Sequence, residues 1–248
     1  SLRPPGPRPS AEVRAWTAGT LGYGWTSCQL PLVDPEPMSW LLAKIYDSFM
    51  AKAERACLSE WRGELLAPLS GDLLEIGAGT GANLSHYGAG LSRLVLCEPD
   101  PHMRGRLASR VAGQVARQVA RAKVEVIDAG VEVLPADAGA FDVVVSTLVL
   151  CSVEDLQLAL GEIHRVLRPG GRLVFLEHVA AEDHSQLLKW QERLEPAWVR
   201  LASGCDLTRR TDRAIERAGF EITSLTRQSM RKALPFVRPT IRGVAIRP

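Results

Sequence analysis

The stretch Leu73-Leu74-Glu75-Ile76-Gly77-Ala78-Gly79-Thr80-Gly81-Ala82-Asn83 limits this chain more than any other. An apolar run ends in an acid, and glycines then alternate with small residues. The pattern predicts a strand, a tight turn and the start of a helix. Glycine tolerates positive φ and lets a ligand approach the backbone. Amides opening a helix can meet a carboxylate or a phosphate. Gly77-x-Gly79-x-x-Ala82 also satisfies the dinucleotide fingerprint, so a nucleotide-like ligand is expected with its identity open.

The segments around this turn alternate between strand and helix patterns. Leu73–Ile76 and Leu94–Cys97 predict the first two strands, and Glu98-Pro99-Asp100 follows the second. An acid about 20 residues beyond the first glycine falls at the carboxyl end of the neighbouring parallel strand, within reach of ribose hydroxyls. Met103–Arg121 reads as a helix with a solvated face. Val124–Ile127 is a third strand, and Phe141–Leu150 a fourth strand with its turn. The fourth is nearly all apolar, as suits a central parallel strand buried on both faces. Asp155–Leu167 is helical, Arg168-Pro169-Gly170-Gly171 a sharp turn, and Arg172–His178 a fifth strand. Its final polar pair, Glu177-His178, is expected to point into the ligand crevice. Residues 186–201 are amphipathic. Asp206 or Thr208 is expected to cap a helix over Arg210–Ala218, and Phe220–Thr226 and Ile241–Ile246 complete the strands. This alternation predicts an α/β sheet with helices on both faces.

Upstream, residues 1–37 are rich in proline and read as an N-terminal arm. Residues 38–67 have helical apolar spacing and read as a lid before the first strand, with Tyr46 placed to face a ligand. The chain has 248 residues, 46% of them hydrophobic, enough for one large α/β domain. A net charge of +2 is too mild for a nucleic-acid partner. The five cysteines are scattered without a C-x-x-C pair, so neither a disulfide framework nor a metal site is expected, and a reducing, cytoplasmic setting is. No apolar stretch approaches the roughly 20 residues of a membrane-spanning helix, and no signal peptide is expected.

Five ordered motifs resemble the class I S-adenosylmethionine-dependent methyltransferases. They are Glu75-x-Gly77-x-Gly79-x-Gly81, the acid Glu98, Glu132-Val133-Leu134-Pro135, Phe141-Asp142, and Leu167-Arg168-Pro169-Gly170-Gly171. The resemblance runs from about residue 38 to the C-terminus. It implies a Rossmann-like seven-stranded sheet with the last strand antiparallel, and S-adenosyl-L-methionine as cofactor. By the same resemblance, Gly77, Ala78, Gly79, Gly81 and Asn83 would lie under the cofactor, and Glu75 would orient the turn and the ammonium end. Glu98 would hold the ribose, Pro99 would pack by the adenine, and Thr147 and Leu148 would lie against the methionine part. Many relatives carry an acid where this chain has Gly130. The backbone of Gly130 and Val131 is expected to serve the adenine instead, Asp128 being out of register.

A narrower resemblance rests on Thr147–Val153, Glu177–Glu182, Pro196-Ala197-Trp198 and Gly204–Arg209, which look like alkyl thiol methyltransferases and their bacterial relatives. It implies a small-molecule methyl acceptor, preferably a thiol, and a monomer or weak dimer. Animal members carry an N-terminal membrane-associating helix, and this chain has its Pro-rich arm there, which leaves membrane contact unsupported. The alternatives are a phospholipid amine, quinone or natural-product acceptor, or a non-catalytic binding protein. A thiol has a reference pKa of about 8.5 and is partly thiolate near neutrality. His178 is the first candidate for the base that completes its ionisation and Asp206 the second. Cys151 and Cys205 are expected to shape the pocket, which Trp190 and Trp198 could wall.

Overall fold

The apolar runs become the strands of one sheet. The computed structural model describes residues 50–115, 122–202 and 204–248. The arm, the first part of the lid and Tyr46 lie outside them. Strands β1 (Gly71–Ile76), β2 (Leu91–Cys97), β3 (Lys123–Ile127), β4 (Phe141–Thr147), β5 (Leu167–His178), β6 (Glu221–Ser229) and β7 (Pro239–Ile246) stand in the order β3-β2-β1-β4-β5-β7-β6. The pairs among β1 to β5 are parallel, and β7 lies antiparallel between β5 and β6.

Successive residues on a strand face opposite sides of a sheet, and here both sides are apolar. Leu73, Leu94, Leu96, Val143 and Val145 pack in one cluster with Leu66 and Leu107. Those two come from helices α1 (Ser59–Leu66) and α2 (Pro101–Arg110). The adjacent Leu74, Val95, Cys97 and Val144 pack in the other with Leu160, Ile163 and Ile215. Those helical residues come from α3 (Leu156–Val166) and α5 (Thr211–Arg217). Between these last two runs α4 (Gln186–Leu201), whose only fully buried residue is Gln191. Each fully buried Leu or Val contributes about 1.5–3 kcal/mol, so a polar side chain inside these layers must have another purpose.

Three local expectations change. No helix follows the glycine turn: residues 79–86 form turns closed by Gly81 N to Ala78 O (2.9 Å) and His86 N to Asn83 O (2.9 Å). Glycine is a poor helix former, and Asn83 is drawn inward by side-chain partners. The Arg168–Gly171 turn is a bulge within β5. Phe141 pairs with Leu167 and Val143 with Arg172, so four residues loop out of register. Arg168 holds the loop by ion pairs to Asp72 and Asp142. Neither Asp206 nor Thr208 caps α5. Arg210 stands at the N-cap, and its side chain makes no capping bond but reaches Ala181 O and Asp183 instead.

From β1 the chain runs outward to β2 and β3, then crosses to β4 on the other side of β1. In an open α/β sheet that reversal opens a crevice at the carboxyl ends of the strands. The residues leaving β1, β2, β4 and β5 therefore line one end of the sheet.

Candidate active site

The β1 exit is a network of buried polar side chains. Glu75 is 2% exposed. Its carboxylate accepts from Asn83 Nδ2 (2.8 Å) and Tyr87 Oη (2.7 Å). Burial raises its pKa to about 7, against the pull of Tyr87, Asn83 and Arg62, and with a push from Glu98. Arg62 on α1 is also buried and donates to Asn83 Oδ1 (2.6 Å), Thr147 Oγ1 (2.9 Å) and Glu54 Oε1 (3.0 Å). Asn83 Nδ2 reaches Thr147 Oγ1 at 3.0 Å. The lid helix, the glycine turn and the end of β4 are thus joined through one guanidinium. Arg62 and Tyr87 were not singled out from sequence. A lone arginine on an amphipathic helix carries no signal until its burial is known.

Glu98 leaves β2 beside the turn. Its Oε2 accepts from Gly79 N (2.7 Å) and its Oε1 from Asp100 N (2.9 Å). Burial raises its pKa, while the two amides work to lower it. Each carboxylate oxygen keeps a lone pair for a hydroxyl. Gly79 has φ 56°, and a side chain added there would meet nothing within 4 Å. An open backbone beside a buried carboxylate fits a nucleoside with free ribose hydroxyls. Gly77, Ala78 and Gly81 complete the turn. Across the crevice Leu148 takes φ 59°, rare for a branched side chain, with its amide bonded to Leu176 O (2.8 Å). Pro99 is exposed, Gly130 half-buried and Val131 buried. Asp128 is occupied by an ion pair with Arg104 (2.8 Å).

Glu177 and His178 do not act as a pair facing the crevice. Glu177 is fully buried and turned onto the loop after β4, accepting from Ser146 Oγ (2.6 Å), Val149 N (3.2 Å) and Cys151 N (3.3 Å). His178 is 3% exposed, and its Nε2 lies 3.0 Å from Cys205 Sγ. Cys205 Sγ is 4.0 Å from Cys151 Sγ. The Cys151 thiol beside it, with His178 adding to the effect, pulls Cys205 below the usual thiol range. The contact with Cys205 and burial push Cys151 up. Burial alone would lower His178, but Cys205 raises it.

The segment bearing Cys205 is fastened to the β4 loop. Gly204 takes φ 83°, and a Cβ there would lie 3.0 Å from Ser152 O, so a side chain would be both strained and crowded at this approach. Asp206 N donates to Cys151 O (2.8 Å), and Arg209 donates to Leu150 O and Val153 O, both at 2.8 Å. Asp206 uses its carboxylate locally, on Thr208 N (2.8 Å) and Arg209 Nε (3.4 Å). Trp198 packs edge-on to Phe236, whereas Trp190 is largely exposed. The structure therefore gathers the expected residues into two groups, Glu75–Asn83–Thr147 with Gly79–Glu98, and Cys151–His178–Cys205.

The seven-stranded order defines an α/β fold whose crevice carries the buried acids Glu75 and Glu98 at the ends of β1 and β2. A family described as "Methyltransferase domain" matches residues 74–175. A SAM-dependent methyltransferase structure from Thermotoga maritima superposes with a TM-score of 0.59 at 18% identity, covering 84% of this chain and 97% of that one. The human thiol S-methyltransferase TMT1A is 40% identical over 205 residues, 82% of each chain. A demethylmenaquinone methyltransferase from Thermobifida fusca is 30% identical over 62% of this chain and 61% of its own length. The chain belongs to the S-adenosylmethionine-dependent methyltransferases that include these thiol S-methyltransferases. No helix among the described residues is long and apolar enough to cross a membrane.

Proposed function

We propose that the protein transfers a methyl group from S-adenosylmethionine to the sulfur of a small thiol. The observation that carries this reading is the 40% identity to a thiol S-methyltransferase over 82% of both chains. When bound, the cofactor supplies an already activated methyl on a sulfonium, so the protein has mainly to align the reactants. Glu98 and Gly79 would hold the ribose side. The Arg62–Asn83–Thr147 bonds would fix the lid helix, the turn and the end of β4 in one geometry. Leu148 and Val149 would face the methionine side, and the Cys151–His178–Cys205 group would serve the acceptor. His178 Nε2 is already engaged by Cys205, so it is not a free imidazole waiting for the acceptor's proton. Asp206 serves as the brace of its own turn.

The test is a panel of thiols, amines, phenols and phospholipids with labelled cofactor and purified protein. Methyl transfer to thiols is expected, and turnover of non-thiols alone rejects the reading. The match to a demethylmenaquinone methyltransferase gives a quinone acceptor as the second reading, decided by adding a quinol to the panel. The cofactor side is tested separately by calorimetry with S-adenosylhomocysteine. Removing the Glu98 carboxylate in Glu98→Ala loses charged hydrogen bonds worth about 1.5–3 kcal/mol each, so binding should weaken by about 100-fold. Unchanged affinity would remove Glu98 from the site.

A further inference from the structure

We propose that Cys151, His178 and Cys205 form a zinc(II) site of two sulfurs and one imidazole, with its fourth position open to an incoming ligand. One donor atom from each residue lies within 4.8 Å of the other two. Two zinc donors at about 2.3 Å (sulfur) and 2.0–2.1 Å (nitrogen) from a tetrahedral centre are about 3.5–3.8 Å apart. The sulfur pair at 4.0 Å is close to that spacing, and the nitrogen–sulfur pair at 3.0 Å reaches it by opening half an ångström or so.

The chemistry of the donors is selective. The carboxylates next to these residues in sequence, Glu177 and Asp206, are turned onto protein donors and leave the cluster soft. Thiolate and imidazole together suit zinc and not magnesium or calcium. Three protein ligands with a vacant fourth position is the arrangement of catalytic rather than structural zinc. The donors are also held in place before any ion arrives. Glu177 and Arg209 fix the loop of Cys151. The β5–β7 register fixes His178, which stands opposite Thr240. The Gly204 turn and the Asp206–Cys151 backbone bond fix Cys205. The other described cysteines differ: Cys57 and Cys97 lie buried in apolar clusters with no histidine beside their sulfur.

The role of the ion rests on the thiol reading. An acceptor thiol entering the fourth position binds through sulfur and releases its proton to water. The S–CH3 bond to the acceptor then forms as the sulfonium S–CH3 bond breaks, its electron pair returning to the departing sulfur. The product thioether is neutral, a weaker ligand than thiolate, and leaves.

The full chain, stripped with chelator and kept reduced, is titrated with zinc against a chromogenic chelator and with cobalt(II) as a spectroscopic probe. One zinc per chain and strong sulfur-to-cobalt charge-transfer absorption are expected. Cys151→Ser and Cys205→Ser should each weaken zinc by about 100-fold or more, and Cys57→Ser should not. Folding of each variant is checked by circular dichroism, and the wild-type cobalt spectrum needs no variant. Absence of uptake by folded wild-type chain overturns the site, as does equal affinity in the three serine variants. Thiol turnover should fall on stripping and return with zinc, while S-adenosylhomocysteine binding is unchanged. Tight zinc with unaltered thiol turnover overturns the acceptor role, and a chain inactive on every thiol refutes the thiol reading while uptake still judges the site.

Discussion

At the β1–β2 side of the crevice, Glu75 and Glu98 meet a donor at every carboxylate oxygen. At the β5 side, His178 Nδ1 is buried without a hydrogen-bond partner among the described residues. The first region is a closed polar network in which each group is held by another. The second is a set of soft donors whose capacities are not used up within the protein. Closed networks hold a ligand of constant shape, which suits a cofactor common to a family. Open donor sets leave room for a partner that comes from outside, which suits acceptor chemistry.

The largest stability loss is expected on the β1–β2 side. Arg62→Met leaves Glu54, Asn83 and Thr147 without their shared donor and the buried Glu75 without its nearest positive charge. Breaking a buried charge network from one side costs about 3–5 kcal/mol. Urea denaturation measures this, and a loss under 1 kcal/mol would show that the network does not stabilise the fold.

A pH titration sharpens the same side. Burial raises folded Glu75 to about 7 from 4.5, with Tyr87, Asn83 and Arg62 opposing and Glu98 assisting. Between those values the folded chain keeps a proton that the unfolded chain has released. The stability this contributes is full below 4.5 and is lost as pH rises through 7, by about 3 kcal/mol in all. Glu75→Gln cannot titrate, so the difference between variant and wild type should change across this window and be level above it. A constant difference from pH 4 to 8 would mean that Glu75 ionises normally in the fold.

The smallest effect is expected on the acceptor side. Cys205→Ser in metal-free protein replaces a half-buried sulfur that lies beside His178 Nε2 and Cys151 Sγ. Its unfolding free energy should stay within about 1 kcal/mol of wild type. A loss as large as that of Arg62→Met would erase the distinction between the two regions.

Much of the β1–β2 side was legible because its parts are close in sequence or tied to strand ends. Glu75 and Gly79 share one motif, and Glu98 follows the next strand, so local spacing carries their proximity. Arg62 and Tyr87 were not legible: nothing in an amphipathic pattern tells a buried arginine from a solvated one. The missing helix after Gly81 was misread for a related reason. The residues there have helical spacing, but Asn83 turns inward to Glu75 and Arg62, and the glycines offer little resistance.

By itself, the sequence determined the class of fold, its seven strands with the last antiparallel, and the placing of glycines and acids at the first two strand ends. Those depend on hydrophobic periodicity and on glycine and acid placements that act within a few residues. Tertiary structure alone decided that Cys151, His178 and Cys205 meet, since they come from the β4 loop, the end of β5 and the turn after α4. It also decided that Arg62 joins the lid helix to β4. Such contacts depend on the crossing of strands around the β1–β4 reversal and on Gly204 allowing a backbone approach to Ser152 that a side chain would crowd and strain.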